Sequence, residues 1–266
     1  MSNPEEPSAD STIRGESAAT QSQPAAGQQD DADVKRLPWL VETLLIVLSV
    51  LVVVGLFQTF IGRQYVIPSG SMEPTLHGCE GCTNDRIFTE KISYYGSDPE
   101  PGDVVVFAGT DSWNEGFTSP RSNNAVVSTI QDGLSFLSLA PPDENDLVKR
   151  VIATGGQTVS CEPGDPSVMV DGKPTDQSFV MQPSQYPIDE SRGSEACGGP
   201  YFGPVTVPEG RFFMMGDNRT NSADSRMHIH DGMVGTIPRE NIRGKVQFIF
   251  FPFNRMSSVD DPDIQS

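Results

Sequence analysis

Between Trp39 and Ile61 the sequence runs WLVETLLIVLSVLVVVGLFQTFI, an apolar stretch whose only charge, Glu42, lies near its start. At about 1.5 Å of rise per residue, such a run forms a helix long enough to cross a hydrocarbon core of about 30 Å. Burying it inside a soluble domain would need a larger protein wrapped around it. A cleaved secretory signal is the competing reading, but its leader would be too long and too acidic, and Gln58-Thr59-Phe60-Ile61 offers no small-x-small cleavage site. The sequence therefore predicts a transmembrane helix over residues 36–62. Lys35 and Arg36 abut its start and only Arg63 follows closely, so the positive-inside rule puts the N-terminus in the cytoplasm and everything after Arg63 outside the cytoplasmic membrane.

The flanks of this segment differ in character. Residues 1–33 carry seven acids against Arg14 alone, with many Gln, Ser, Pro and Ala. They cannot bury enough apolar surface to offset chain entropy, so residues 1–35 are expected to be a disordered acidic cytoplasmic segment. Residues 257–266 are expected to be a disordered C-terminal tail. The formal net charge of -18 excludes nucleic acid as a partner, because gripping phosphates requires clustered Lys and Arg; a solvated acidic surface is the plain reading. All four cysteines, Cys79, Cys82, Cys161 and Cys197, lie beyond the anchor, in a compartment that permits disulfides. Adjacency favours pairing Cys79 with Cys82, which leaves Cys161 with Cys197 to close a loop. Cys79-Glu80-Gly81-Cys82 also has zinc-ligand spacing, yet no second CxxC or nearby His pair completes a site, and no metal is expected.

Beyond the anchor, short β-branched and aromatic runs alternate with Gly, Pro and Asp clusters, the pattern of a mainly β protein. The clearest runs are Gln64 to Ile67, Arg86 to Ile92, Asp103 to Ala108, Leu147 to Ala153, Ser167 to Val170, Arg211 to Met215 and Lys245 to Phe251. Asp171-Gly172 predicts a tight hairpin turn. Residues 110–146 read as irregular, with a helix at Asn124 to Leu139 that Pro141-Pro142 ends. Residues 63–154 and 208–256 form the expected extracytoplasmic β domain. Residues 155–207, rich in Gly and Pro, read as an inserted second lobe. The aromatic run Phe248 to Phe253 reads as a buried terminal strand rather than a membrane-dipping edge.

Four segments can carry chemistry: Ile67-Pro68-Ser69-Gly70-Ser71-Met72-Glu73-Pro74-Thr75-Leu76, then Pro101 to Phe107, then Leu147-Val148-Lys149-Arg150-Val151-Ile152, then Gly216 to Arg226, which reads GDNRTNSADSR. Taken singly they are unremarkable. Ser71 alone is a turn serine, Lys149 a solvated strand residue, and Asp217 to Arg226 a polar loop laced by weak surface ion pairs. Together, and in this order beyond an anchor, they resemble the bacterial type I signal peptidases from about Gln64 to Phe253. The resemblance implies a LexA-like β fold with a smaller inserted β lobe, and a membrane-bound endopeptidase that removes signal peptides from exported preproteins after a small-x-small motif. It matches Ser71 to the nucleophile and Lys149 to the general base. It assigns Ser69 and the Ser71 amide to the oxyanion hole, Ser222 to orienting Lys149, and Asp224 with Arg226 to a supporting ion pair. Tyr65, Ile67, Pro68 and Val148 fall where that family lines shallow apolar substrate pockets. The implied partners are secretory preproteins, the lipid bilayer and the nearby export machinery; the chemistry requires no cofactor.

A lysine of ordinary pKa, about 10.4, is almost wholly charged at neutral pH and cannot take a proton. Val148, Val151 and Ile152 supply the apolar surroundings that lower it, and a neutral Lys149 can then activate Ser71. Alternation along a strand turns Arg150 away from the Lys149 amine. A histidine base is the rival, since His77, His228 and His230 are available. However, Ile67 to Ser71 is not GxSxG, Pro74 excludes SxxK, and Met227 to Met233 carries residues extra to the family pattern, so His228 and His230 read as surface loop residues. Two other functions compete: a self-cleaving regulator of LexA type, which needs a basic DNA-reading domain absent here, and a catalytically dead anchored module, which the intact Ser71 and Lys149 oppose.

Overall fold

The computed structural model describes residues 38–115 and 145–266. The acidic leader and the expected Asn124 to Leu139 helix lie outside the described residues. Helix α1, Trp39–Phe60, spans about 33 Å at the usual rise. Gly55 is its one buried residue, so its apolar side chains face outward all round, which suits a lipid environment rather than a protein core. The carbonyls at its C-terminal end find partners: Lys91 Nζ donates to Thr59 O at 3.0 Å, the Tyr95 hydroxyl donates to Phe60 O, and the Lys91 amide donates to Ile61 O at 2.9 Å.

Fourteen strands follow in the described residues: β1 (Gly62–Val66), β2 (Arg86–Glu90), β3 (Val104–Ala108), β4 (Asp146–Thr154), β5 (Thr158–Cys161), β6 (Met169–Val170), β7 (Lys173–Pro174), β8 (Gly193–Ser194), β9 (Gly199–Pro200), β10 (Phe202–Thr206), β11 (Arg211–Met215), β12 (Ile237–Pro238), β13 (Ile242–Phe251) and β14 (Ser257–Ser258). The main sheet runs β1-β2-β13-β3-β4-β11-β12, with β14 beside β13. Its neighbours pair antiparallel, and it does not close into a barrel. The Val-rich β3 is buried along most of its length, as expected for a strand covered on both faces. All seven apolar runs of the sequence overlap strands. The sequence runs do not mark the two-residue pairings β7, β8, β9, β12 and β14, nor the longer β5 and β10 of residues 155–207.

A second sheet, β10-β5-β6-β7, and the β8–β9 hairpin lie within residues 155–207, the expected insert. The Asp171-Gly172 turn closes β6 on β7 with φ of 52° and 77°, the left-handed pair that a two-residue hairpin requires. Cys161 is bonded to Cys197 and Cys79 to Cys82. The Cys161–Cys197 bridge lies in an apolar cluster that mixes Val159, Val168 and Phe202 of the insert with Ile152, Phe213 and Met215 of the main sheet. Insert and main sheet thus share one core.

Two expectations are corrected. Residues 257–266 are not a disordered tail: β14 pairs with β13, the Val259 amide donates to Gln247 O, and Ile264 is buried in the cluster around Cys161–Cys197. Two apolar contacts, Ile264 and the partly buried Val259, together with backbone pairing outweigh the polar composition that suggested disorder. The Phe248 to Phe253 run is only partly buried. Ile249 is 3 % exposed and Phe248 40 %, because β13 alternates its side chains between core and surface, and Phe253, 79 % exposed, lies beyond the strand on a 3-10 turn, Phe253–Arg255.

Candidate active site

Ser71 sits on a single 3-10 turn, Gly70–Met72. Met72 and Leu76 are fully buried and hold this loop down on Val104 and Val106 of β3. From the other side the GDN sequence grips it, since the Asn218 amide donates to Ser71 O at 3.1 Å and Asn218 Nδ2 to Gly70 O at 3.0 Å. Gly216 must be glycine, because a Cβ there would stand 2.3 Å from Ser222 Oγ and 2.4 Å from Ser71 O.

Lys149 comes from β4, opposite Val105 of β3, in a run of apolar residues that carries the strand through the core. Its Nζ lies 2.7 Å from Ser71 Oγ although the residues are 78 positions apart. The side chain is 4 % exposed. Burial lowers the Lys149 pKa from 10.5 to about 8; Asp224 and Asp217 oppose the shift and Arg226 adds to it. The neighbouring Arg150 guanidinium is engaged elsewhere. It donates to both Asp217 carboxylate oxygens at 2.9 and 2.7 Å, and to Gly102 O and Asp260 O. Thr75, four residues past Ser71, donates to Asp217 Oδ2 at 2.5 Å. Arg150, Asp217, Thr75 and Asn218 thus lock the lysine strand, the serine loop and the GDN segment together. Sequence reasoning assigned none of the four to this task, although a charged residue inside the LVKRVI run and the Asp-Asn pair of GDN were the available signals.

The remaining expected residues fall as follows. The Ser69 hydroxyl faces that of Ser71 at 3.4 Å. Asp224 is fully buried and bidentate with Arg226, at 2.8 Å to each nitrogen, and it also accepts from the Gly216 amide. Its carboxyl pKa is lowered: desolvation, the largest influence, pushes it up, but the Arg226 charge and hydrogen bonds outweigh this. Arg226 in turn donates to Gly198 O of the insert, tying that lobe to the site. Ser222 is buried, but its Oγ has no hydrogen-bond partner among the described residues, so the expected hydrogen bond to Lys149 is not made in this conformation. Tyr65, Ile67 and Val148 gather in one apolar cluster with Met72 and Leu76, while Pro68 is exposed. Ile67 is 3 % exposed and forms floor rather than open wall.

The histidines are elsewhere. His77 Nδ1 is 2.5 Å from Glu73 Oε1, His228 stacks on Trp113 at 4.8 Å between ring centres, and His230 is exposed. Among the described residues, Ser71 Oγ bonds to Lys149 and Ser69.

A serine hydroxyl set against a buried amine on an antiparallel β scaffold marks the chain as a serine peptidase. The family described as "Signal peptidase, peptidase S26" matches residues 40–251. Similar proteins include the probable signal peptidase I of Mycobacterium leprae (strain TN), 47% identical over 229 residues that cover 80% of this chain and 78% of the relative. The signal peptidase I of Mycobacterium tuberculosis (strain ATCC 25618 / H37Rv) is 45% identical over 245 residues, 88% of this chain and 80% of the relative. That of Leptolyngbya laminosa is 32% identical over 215 residues, 81% of each. The chain belongs to the signal peptidase family, peptidase S26.

Proposed function

We propose that this signal peptidase removes N-terminal signal peptides from exported preproteins with Ser71 as nucleophile and Lys149 as general base. The observation that carries the assignment is the 2.7 Å approach of a buried, weakly basic amine to the Ser71 hydroxyl. At pH 7 a lysine of pKa about 8 is neutral in about one molecule in eleven, some 300 times more often than an unperturbed one. The neutral amine takes the Ser71 proton as Oγ bonds to the scissile carbonyl carbon. The Ser69 hydroxyl and the Ser71 amide then hydrogen-bond the oxyanion, a contribution worth on the order of 100-fold to 1,000-fold per donor. The ammonium returns its proton to the departing amine of the mature protein. Water, deprotonated by Lys149, hydrolyses the ester left on Ser71. Arg150–Asp217 and Arg226–Asp224 hold the elements at this spacing.

The same reading makes residues 36–62 the membrane anchor, with the N-terminus cytoplasmic and residues 63–154 and 208–256 an extracytoplasmic catalytic domain carrying the 155–207 lobe. Lys35 and Arg36 before the helix and the cysteines after it support this orientation. The anchor keeps the site where a membrane-bound substrate emerges beside the export machinery, which raises effective concentration. Small-x-small substrates suit pockets built from Tyr65, Ile67, Pro68 and Val148. Cleavage of a labelled preprotein by the wild type, and none by Ser71→Ala or Lys149→Ala protein with unchanged circular dichroism, is the expected result; turnover by either variant above one hundredth of wild type overturns the assignment.

A further inference from the structure

The loop that carries Ser71 continues through His77-Gly78-Cys79-Glu80-Gly81-Cys82 before returning to β2. Its base is clamped. The His77 amide donates to Asp85 Oδ2 at 2.7 Å, the Asp85 amide donates back to His77 O at 2.9 Å, and Arg255 holds the fully buried Asp85 at 2.8 and 3.0 Å. Its tip is open, with Cys79 exposed and Cys82 and His77 half-exposed. The imidazole and the two sulfurs bring one ligand atom each within 4.8 Å of one another.

We propose that reduction of the Cys79–Cys82 bond converts this tip into a three-ligand zinc site formed by His77 and the two thiolates, beside the nucleophile loop. Four observations carry it. The CxxC spacing with Cα atoms 5.5 Å apart suits two sulfurs at about 2.3 Å from one tetrahedral ion. His77 supplies the third ligand from the clamped base, so little chain entropy is lost on binding. Glu73 Oε1 lies 2.5 Å from His77 Nδ1, which fixes that nitrogen as the N–H and leaves Nε2 with its lone pair for a metal, the carboxylate–histidine–zinc arrangement. The exposed Cys79–Cys82 bond is open to a reductant, whereas Cys161 and Cys197 are both fully buried.

The chemistry balances. A dithiol reductant gives two electrons and two protons to the S–S bond and closes into its own cyclic disulfide; Zn²⁺ then displaces the two thiol protons, so affinity falls as the medium is acidified. Water fills the fourth position.

The test uses the detergent-solubilised full chain, treated briefly with dithiothreitol, desalted without oxygen and assayed for thiols. Zinc is then titrated against a chromogenic chelator, and Co²⁺ is used to read thiolate-to-metal charge transfer. Two new thiols and one zinc per chain are expected in the reduced protein, and none in the oxidised protein or in a Cys79→Ser/Cys82→Ser variant. His77→Ala should weaken binding at least tenfold, and Glu73→Gln about 10-fold to 100-fold. Reduced wild type that takes up no more zinc than the double serine variant overturns the proposal, as does His77→Ala protein that binds zinc as tightly as wild type.

Discussion

Raising the pH from 7 to 9 should speed cleavage about tenfold if Lys149 is the base. The amine is buried and its pKa falls from 10.5 to about 8, so it is neutral in about one molecule in eleven at pH 7, half at pH 8 and ten in eleven at pH 9. Because kcat/KM reports ionisations of the free enzyme, it should climb about fivefold from pH 7 to 8 and about twofold more to pH 9. A fluorogenic peptide with a small-x-small site and no group titrating in that range supplies the assay. Lys149→Arg should be inactive throughout, since a guanidinium does not deprotonate here. Replacing His77, His228 and His230 together by Ala should leave the curve in place, because none of them bonds to Ser71. A flat profile between pH 7 and 9, or a rise centred near 6.5 that disappears in the histidine variant, would refute the lysine mechanism.

The same buried amine bears on stability. Between about pH 8 and 10.5 the unfolded chain holds a proton on Lys149 that the folded chain does not, so wild-type stability rises with pH across that window. Lys149→Met should therefore be more stable than wild type below pH 8, by about 3 kcal/mol at most, with the gap closing toward pH 10.5 in denaturant titrations; a gap independent of pH would count against it. Ile264→Ala should cost about 2–5 kcal/mol, read as a lowered denaturation midpoint, because Ile264 fills the core shared by sheet and insert; an unchanged midpoint would mean that the C-terminal segment does not dock.

Strand positions were largely readable because short β-branched and aromatic runs between Gly, Pro and Asp breaks, such as Asp103 to Ala108 and Lys245 to Phe251, mark strands locally. The C-terminal segment was not, since Val259 and Ile264, isolated among polar and acidic residues, carry no periodic signal, and the burial of Ile264 depends on a core built by β4, β11 and the insert. Exposure of Phe248 and Phe253 was equally hidden. An aromatic run looks buried until it is known that β13 alternates between the core and a surface row in which Phe248 stacks on Phe88 at 5.3 Å, and that Phe253 lies beyond the strand.

Sequence alone determined the elements that depend on near neighbours: an apolar helix long enough for a bilayer, short strands between Gly and Pro breaks, and the motif that nominates Ser71 and Lys149. Tertiary structure decided everything that depends on distant residues meeting. Lys149 reaches Ser71 across 78 positions, and Arg150 finds Asp217 across 67. Asp224 closes on Arg226 and Gly216 within its own loop, yet that loop becomes a support only when Asn218 seizes the Ser71 turn. Periodicity records which residues avoid water, but a base becomes a base only when packing removes its solvent, and packing partners are chosen by the whole fold.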